Sequence, residues 1–502
     1  MSISAVSRRA SQPTTAGATG GYAPILAGVM AALLVIRLVA LRYNATDLFF
    51  DEAQYWSWST EPAFGYYSKP PLIAWLIRLS TDACGLSEFC VRLPSPLLHA
   101  ATAFAIYGAA ARLYDARTAF WAALAYATLP GVSFSAGLIS TDVPLLLAWA
   151  LALWAYVALG QGHSWLPALG LGLAIGIGLN AKYAMAYFFL CIAVDMVATP
   201  GRRHLLNDVR LWLGIALGLA LIAPNLIWNA GNGFATFSHT ADNAKWTGSL
   251  VHPVKALEFL ASQFGVFGPI LFASLGVIVV RAWKQGVPDA DRLLLAFALP
   301  VLCLVTVQAF LSRAHANWAA VSYVAAVILV VATMVRDLSW GWLRASLALH
   351  VALLLGFAAA NATAGSVSLP AVGDPFARTL GWKDVAQETE RFVAEARQAG
   401  KPFEAVITDE RALSAELLYY MRQEPTPVLA WRAGSRPTDH YEMTRPFTSS
   451  VRGRVLLVAM RRDPAEITGR FAQSALIASK TLPAGRSKRA YAFYDLAGYR
   501  GP

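Results

Sequence analysis

About eleven apolar stretches, each close to the ~20 residues that a spanning helix needs, constrain this chain more than anything else in it. They lie near 23–42, 93–111, 118–135, 143–160, 165–180, 183–198, 211–229, 258–281, 293–311, 318–335 and 343–360. In lipid every backbone polar group must be bonded internally, so such stretches can cross only as helices. Only 14% of the 502 residues are charged, against the quarter usual in soluble proteins, and mean hydropathy is +0.48. The expected fold class is an all-α polytopic membrane domain followed by an extramembrane α/β domain. The formal charge of +11 fits Lys and Arg anchoring cytoplasmic loops better than nucleic-acid binding.

The loops set the orientation. Arg8/Arg9, Arg112/Arg117, Arg202/Arg203/Arg210, Arg281/Lys284/Arg292 and Arg336/Arg344 alternate with the other loop set, which marks their ends as cytoplasmic. Residues 1–21 are polar and read as a disordered cytoplasmic leader. The membrane domain is expected over 22–360, with an outer, periplasmic loop at 43–92, and an outer α/β domain over 361–502. In that tail, 381–400 and "ERALSAELLYYMRQ" have helical spacing, while "FEAVIT", "RVLLVAM" and "AYAFYDL" read as strands.

The polar motifs gather on the outer face. Asp51 and Glu52 follow the first span and precede Tyr55, Trp56, Trp58, Phe64, Tyr66 and Tyr67. The acids are either solvated helix ends or a catalytic pair, and the rings either an interfacial belt or a bed for sugar and lipid. Lys69 stands before Pro70-Pro71, which stiffens the backbone around its charge. Asp142 opens a span, as an N-cap or as a second working carboxylate. Lys182 sits among apolar residues, a costly placement that marks a functional candidate. Arg313, His315 and Asn317 form a polar turn that is either a snorkelling loop or part of the site. His239, Asp242, Lys245 and His252, in the loop 229–257, read as structural or substrate-guiding. No histidine pair has the i,i+4 zinc spacing. The sequence therefore requires no cofactor, and a divalent metal is unsupported. Cys84 and Cys90 share the outer loop, where a disulfide between them would persist.

Cations for a phosphate, carboxylates for a hydroxyl proton and rings at lipid depth suit sugar transfer from a lipid phosphate carrier. At these residues the chain resembles the C-superfold membrane glycosyltransferases, in their protein-O-mannosyltransferase and aminoarabinose-transferase-like group. The matching pieces, "DEAQYWSW", "YYSKPPLIAWL", "GLSEFCVRLPS", "STDVPLL", "GLNAKYAM", "FGPILF" and "HANWAAVSY", occur in order. The resemblance implies Asp51 as catalytic carboxylate, Asp142 as a second outer-loop acid and Lys69 as the contact to the carrier phosphate. It further implies a polyprenyl-phosphate-linked sugar donor, a lipid, glycolipid or protein acceptor, inversion at the anomeric carbon, and a bacterial inner-membrane enzyme with its site facing the periplasm. Glu52 joins the catalytic candidates. Lys182 and Arg313 join Lys69 on the phosphate, and Tyr55, Tyr66, Tyr67, His315 and Asn317 are candidate substrate contacts. Aminoarabinose transferases carry Glu before Lys-Pro-Pro, where this chain has Ser68, so no role of that carboxylate carries over. A transporter or flippase of polyprenyl-linked sugars is the alternative, but the motifs lie at one face rather than the midplane and no internal repeat is visible.

Overall fold

A computed structural model describes residues 21–244, 250–366, 374, 376–460 and 464–501. Most of the leader and Lys245 lie outside the described residues. Each of the eleven apolar segments is helical, but they are not eleven long rods. Among the described residues six helices have the length and apolarity to cross a membrane: Tyr22–Arg42, Glu88–Leu113, Asp142–Leu159, Val209–Gly231, Asp289–Leu311 and Trp340–Ala362. Leu166–Ala181, Tyr183–Ala198 and Ser322–Arg336 are shorter apolar helices.

The segment expected as one span at 258–281 is two helices, Pro253–Val266 and Pro269–Gln285, bent by 117°. The cause is local. Gly268 holds φ +88°, where a Cβ would lie 2.2 Å from His350 Nε2, and Pro269 next removes a backbone donor. A similar break separates Ala116–Thr128 from Pro130–Ser135 at Pro130. Trp149, Tyr126, Tyr156, Phe188 and Phe297 are fully buried among the helices.

The 43–92 segment is mainly helical: Phe50–Thr60, Leu72–Cys84 and Glu88–Arg92. Cys84 and Cys90 are disulfide-bonded, with Cα atoms 5.9 Å apart. The C-terminal part carries a five-stranded sheet of β1 (Ala405–Thr408), β2 (Val428–Ala430), β3 (Val455–Ala459), β4 (Phe471–Ala484) and β5 (Ser487–Tyr499). Their order is β2-β1-β3-β5-β4; the first three are parallel and β5 runs antiparallel to both neighbours. Helix Trp382–Gln398 buries Trp382, Val385, Ala386, Thr389, Phe392 and Val393, one stripe at helical spacing. Strands β2 and β4 were not expected. The first has three residues, and the second alternates weakly because most of its side chains are exposed.

Two parts of the chain share one core. Leu48, Trp56, Trp58, Ile73, Ile77 and Val91 pack with Ala415, Tyr419, Ala430 and Tyr441. Polar ties cross the same boundary. Asp47 accepts from Trp382 N at 2.9 Å and so caps the Trp382–Gln398 helix, while Lys383 Nζ reaches Glu88 at 2.8 Å. Tyr420 Oη accepts from Leu48 N and donates to Glu88 Oε1. The sheet-bearing part is thereby held against the end of the bundle that carries the sequence motifs.

Candidate active site

Neighbouring residues on a helix point about 100° apart, and this separates the acid pair. Glu52 turns inward, 1% exposed. Its carboxylate accepts from Arg92 Nη2 at 2.8 Å, from Phe49 N at 2.9 Å and from Ile139 N at 2.9 Å. Arg92 is itself buried and also donates to the carbonyls of Thr46 and Asp47. Glu52 thus ties three segments together, with both its oxygens occupied, which does not suit the catalytic role expected of it. Asp51 turns the other way. Its Oδ1 meets Arg411 Nη1 at 2.9 Å with the carboxylate 38% exposed, and its Oδ2 has no partner among the described residues.

Lys69 follows from the turn that its own carbonyl closes by accepting from Tyr66 N. Pro71 then caps the next helix. The Lys69 ammonium makes no hydrogen bond or ion pair among the described residues, yet it lies in the field of Asp51, Asp142, Lys182 and Arg411. Burial, reinforced by the Lys182 charge, pushes it down to about 8 against the pull of the two carboxylates.

Asp142, in the first turn of its helix, accepts from Lys182 Nζ at 2.7 Å and from Asn317 Nδ2 at 2.6 Å. Lys182 can reach it because the preceding helix ends there. Residue 182 is extended, with φ −162° and ψ 135°. Three candidates far apart in sequence therefore form one cluster. N-capping does not account for Asp142, whose carboxylate faces side chains from two other segments.

The rings divide. Tyr55 is 5% exposed and lies near Asp51, Arg411 and Asp142; burial first, and then Asp51, raises its hydroxyl far above the ordinary range, so it stays protonated and is no base. Tyr66 stacks on Trp58 at 4.7 Å and donates to the Trp58 carbonyl, and Tyr67 donates to the carbonyl of Pro437. Both are occupied in shaping the loop, which leaves Tyr55 as the ring nearest the acids.

Arg313 reaches Asn243 Oδ1 at 3.4 Å, and its buried Nε has no partner among the described residues. Asn243 in turn bonds His239 at 3.0 Å. His239 is pushed down to about 4 by burial and by Lys69, and is neutral at pH 7. His315 is exposed, rests against Trp318 and is lowered by burial and by Arg313, Arg378 and Lys182. His252 is held by its backbone N–H, which bonds the Phe310 carbonyl. Among the described residues no three His, Cys, Asp or Glu side chains gather as a metal site would require.

Sequence reasoning missed Arg411 and Gln54. Arg411 begins the helix after β1 and is separated from Asp51 by 360 positions. Burial opposes its charge, but Asp51 raises its pKa above the ordinary value overall. No local pattern announces such a contact. Gln54 is a neutral polar residue among rings in the sequence; its Oε1 accepts from the same Arg411 Nη1 at 2.8 Å.

The family model "Dolichyl-phosphate-mannose-protein mannosyltransferase" matches residues 68–228, a range that holds Lys69, Asp142 and Lys182. The chain is 37% identical over 423 residues to the lipid A galacturonosyltransferase RgtD of Rhizobium johnstonii, covering 84% of this chain and 88% of that protein. It is 28% identical over 261 residues to the lipopolysaccharide core galacturonosyltransferase RgtA of the same organism, covering 51% of each. The fold matches ArnT from Cupriavidus metallidurans bound to undecaprenyl phosphate, with a TM-score of 0.65 and 16% identity over 97% of this chain and 100% of that one. This chain therefore belongs to the protein-O-mannosyltransferase and aminoarabinose-transferase-like group of C-superfold membrane glycosyltransferases, and is a multi-pass membrane protein.

Proposed function

We propose that the protein is an inverting glycosyltransferase that moves galacturonic acid from a polyprenyl-phosphate carrier to a lipid A-type acceptor at the periplasmic face of the inner membrane. The observation that carries this reading is the Lys69 ammonium, which has no partner among the described residues and lies in the field of the Asp51–Arg411 and Asp142–Lys182 pairs. An isolated buried ammonium is unfavourable, and an anionic ligand relieves it. The names of the relatives supply the sugar and the acceptor class.

The acceptor hydroxyl gives its proton to the free Oδ2 of Asp51 as its oxygen attacks the anomeric carbon. The bond from that carbon to the phosphate oxygen breaks on the opposite side, which inverts the centre. The carrier leaves as polyprenyl phosphate, carrying more negative charge than it brought. Lys69 stabilises that charge, with Lys182 and Arg313 at longer range. Asp142 holds Lys182 and Asn317 in place. The periplasmic side is favoured by the Lys/Arg-rich loops at the opposite helix ends and by the Cys84–Cys90 bond, which persists in an oxidising compartment.

The test is transfer by purified protein in detergent, with polyprenyl-phosphate galacturonic acid as donor and lipid A as acceptor. The expected product is lipid A heavier by one hexuronic acid residue in mass spectrometry. Intact donor and acceptor after incubation with folded protein would refute the reading.

A further inference from the structure

The reaction just described leaves half of one guanidinium unused. Arg411 makes both of its contacts through Nη1, to Asp51 Oδ1 at 2.9 Å and to Gln54 Oε1 at 2.8 Å. Its Nε and Nη2 donate to nothing among the described residues. The guanidinium lies over Phe50, with Cζ 4.9 Å from the ring centroid, which helps to fix its plane. Arg378 lies over the same ring at 5.3 Å and has no carboxylate partner among the described residues. The site therefore holds more positive charge than Asp51 and Asp142 balance. A carrier phosphate on Lys69 answers only part of that excess.

The geometry points to the Nε–Nη2 edge of Arg411 as a subsite for the planar carboxylate of the transferred sugar, which makes Arg411 the residue that selects a uronic acid donor. This rests on the galacturonosyl reading above. The chemistry is specific. A guanidinium edge presents two parallel N–H groups at the spacing of two carboxylate oxygens, whereas a hydroxymethyl group leaves one or both unmatched. Because Nη1 keeps its hold on Asp51, a carboxylate on the other edge fixes the sugar relative to the catalytic carboxylate. Recognition and proton transfer are joined through one side chain supplied by the C-terminal part of the chain. An acceptor phosphate shares the same anionic chemistry, so the test must separate the two sources.

The experiment compares polyprenyl-phosphate galacturonic acid with polyprenyl-phosphate galactose, which differ only at that carboxylate, each with phosphorylated and dephosphorylated lipid A. The native enzyme should prefer the uronic donor in kcat/KM by on the order of 10²-fold. Arg411→Gln should lose most of this preference, with the larger loss on the uronic donor whichever acceptor is used. Arg411→Lys should recover only part of it, since it restores charge without the fork. Binding of undecaprenyl phosphate, measured separately, should persist in both variants and so report that they are folded. Equal slowing of both donors would overturn the subsite and reassign Arg411 to holding Asp51. A defect that vanishes with dephosphorylated acceptor would overturn it in favour of an acceptor phosphate. A native enzyme that takes neither donor brings down the functional reading, and the subsite with it.

Discussion

Asp51 and Glu52 are chemically near-identical neighbours, and one helical step of rotation gives them different fates. Asp51→Asn keeps size and hydrogen bonding but cannot accept a proton. Transfer should fall by about 10²–10⁴-fold while donor binding is retained, as read by single-turnover assay beside a separate binding measurement. Near-normal transfer would discard Asp51 as the base. Glu52→Ala should instead strand the buried Arg92 charge at a cost of about 3–5 kcal/mol, seen as a lowered melting temperature of the purified protein. A Glu52→Ala protein as stable as the native one would refute its clamping role. Lys69 adds a pH dependence. Burial has pushed its ammonium down to about 8, so the charge proposed to bind the carrier phosphate is present below that pH and lost above it. Donor kcat/KM should accordingly fall as pH rises through about 8, and the limb should move upward in Lys69→Arg. For the ligand-free protein the sign is opposite. Between about 8 and the ordinary lysine value of 10.5 the unfolded chain binds more protons, so stability rises with pH.

Among the elements, the site is built from interruptions of regular structure. Lys182 stands where its helix ends, Asp142 where one begins, Asn317 in a single 3-10 turn, and Lys69 in the link between two helices. A continuous helix would aim these side chains at lipid or at the neighbouring helix. The segment after Lys69 is pinned further on by the Cys84–Cys90 bond, which ties the end of the Leu72–Cys84 helix to the Glu88–Arg92 helix through a short ring. Loop closure of that length is worth about 2 kcal/mol. Thiol alkylation of the unfolded protein should label both cysteines only after reduction, and reduction should lower stability without removing Lys69 from the site. Labelling of both without reduction would show that the bond is absent.

For the whole molecule, the C-terminal part completes the proposed site. It supplies Arg411 and packs the same helix, Arg411–Tyr420, against Phe50–Thr60. That helix also buries Glu416, whose two carboxylate oxygens have no partner among the described residues. Burial first, and the nearby Asp47 and Glu52 charges next, raise its pKa well above the usual 4.5. A carboxyl raised in this way favours the folded state only while protonated. Its contribution is therefore lost as pH climbs from its unfolded value towards its folded one. Glu416→Gln removes the titration. The variant should gain stability over the native protein progressively above pH 4.5, measured as melting temperature against pH. A constant difference across the range would show that Glu416 does not titrate with folding.

Much of this protein follows from local chemistry and was legible without a structure. The apolar segments dictate helices because lipid offers their backbones no other partner. Asp51, Lys69, Asp142, Lys182 and Asn317 stand out because charge and polarity at membrane boundaries are costly unless used. The amphipathic stripe from Trp382 to Gln398 announced its helix. Three matters awaited the tertiary structure. The break at Gly268 and Pro269 is local, but the second demand for glycine there comes from His350, eighty-two positions away, whose ring leaves no room for a Cβ. The division of labour between Asp51 and Glu52 depends on which direction of one helix face Arg92 and Arg411 approach. Arg411 itself carries no signal in its own neighbourhood. It belongs to the site only because a core shared by Trp56, Trp58, Tyr419 and Tyr441 brings distant segments together, and sequence spacing contains no measure of that packing.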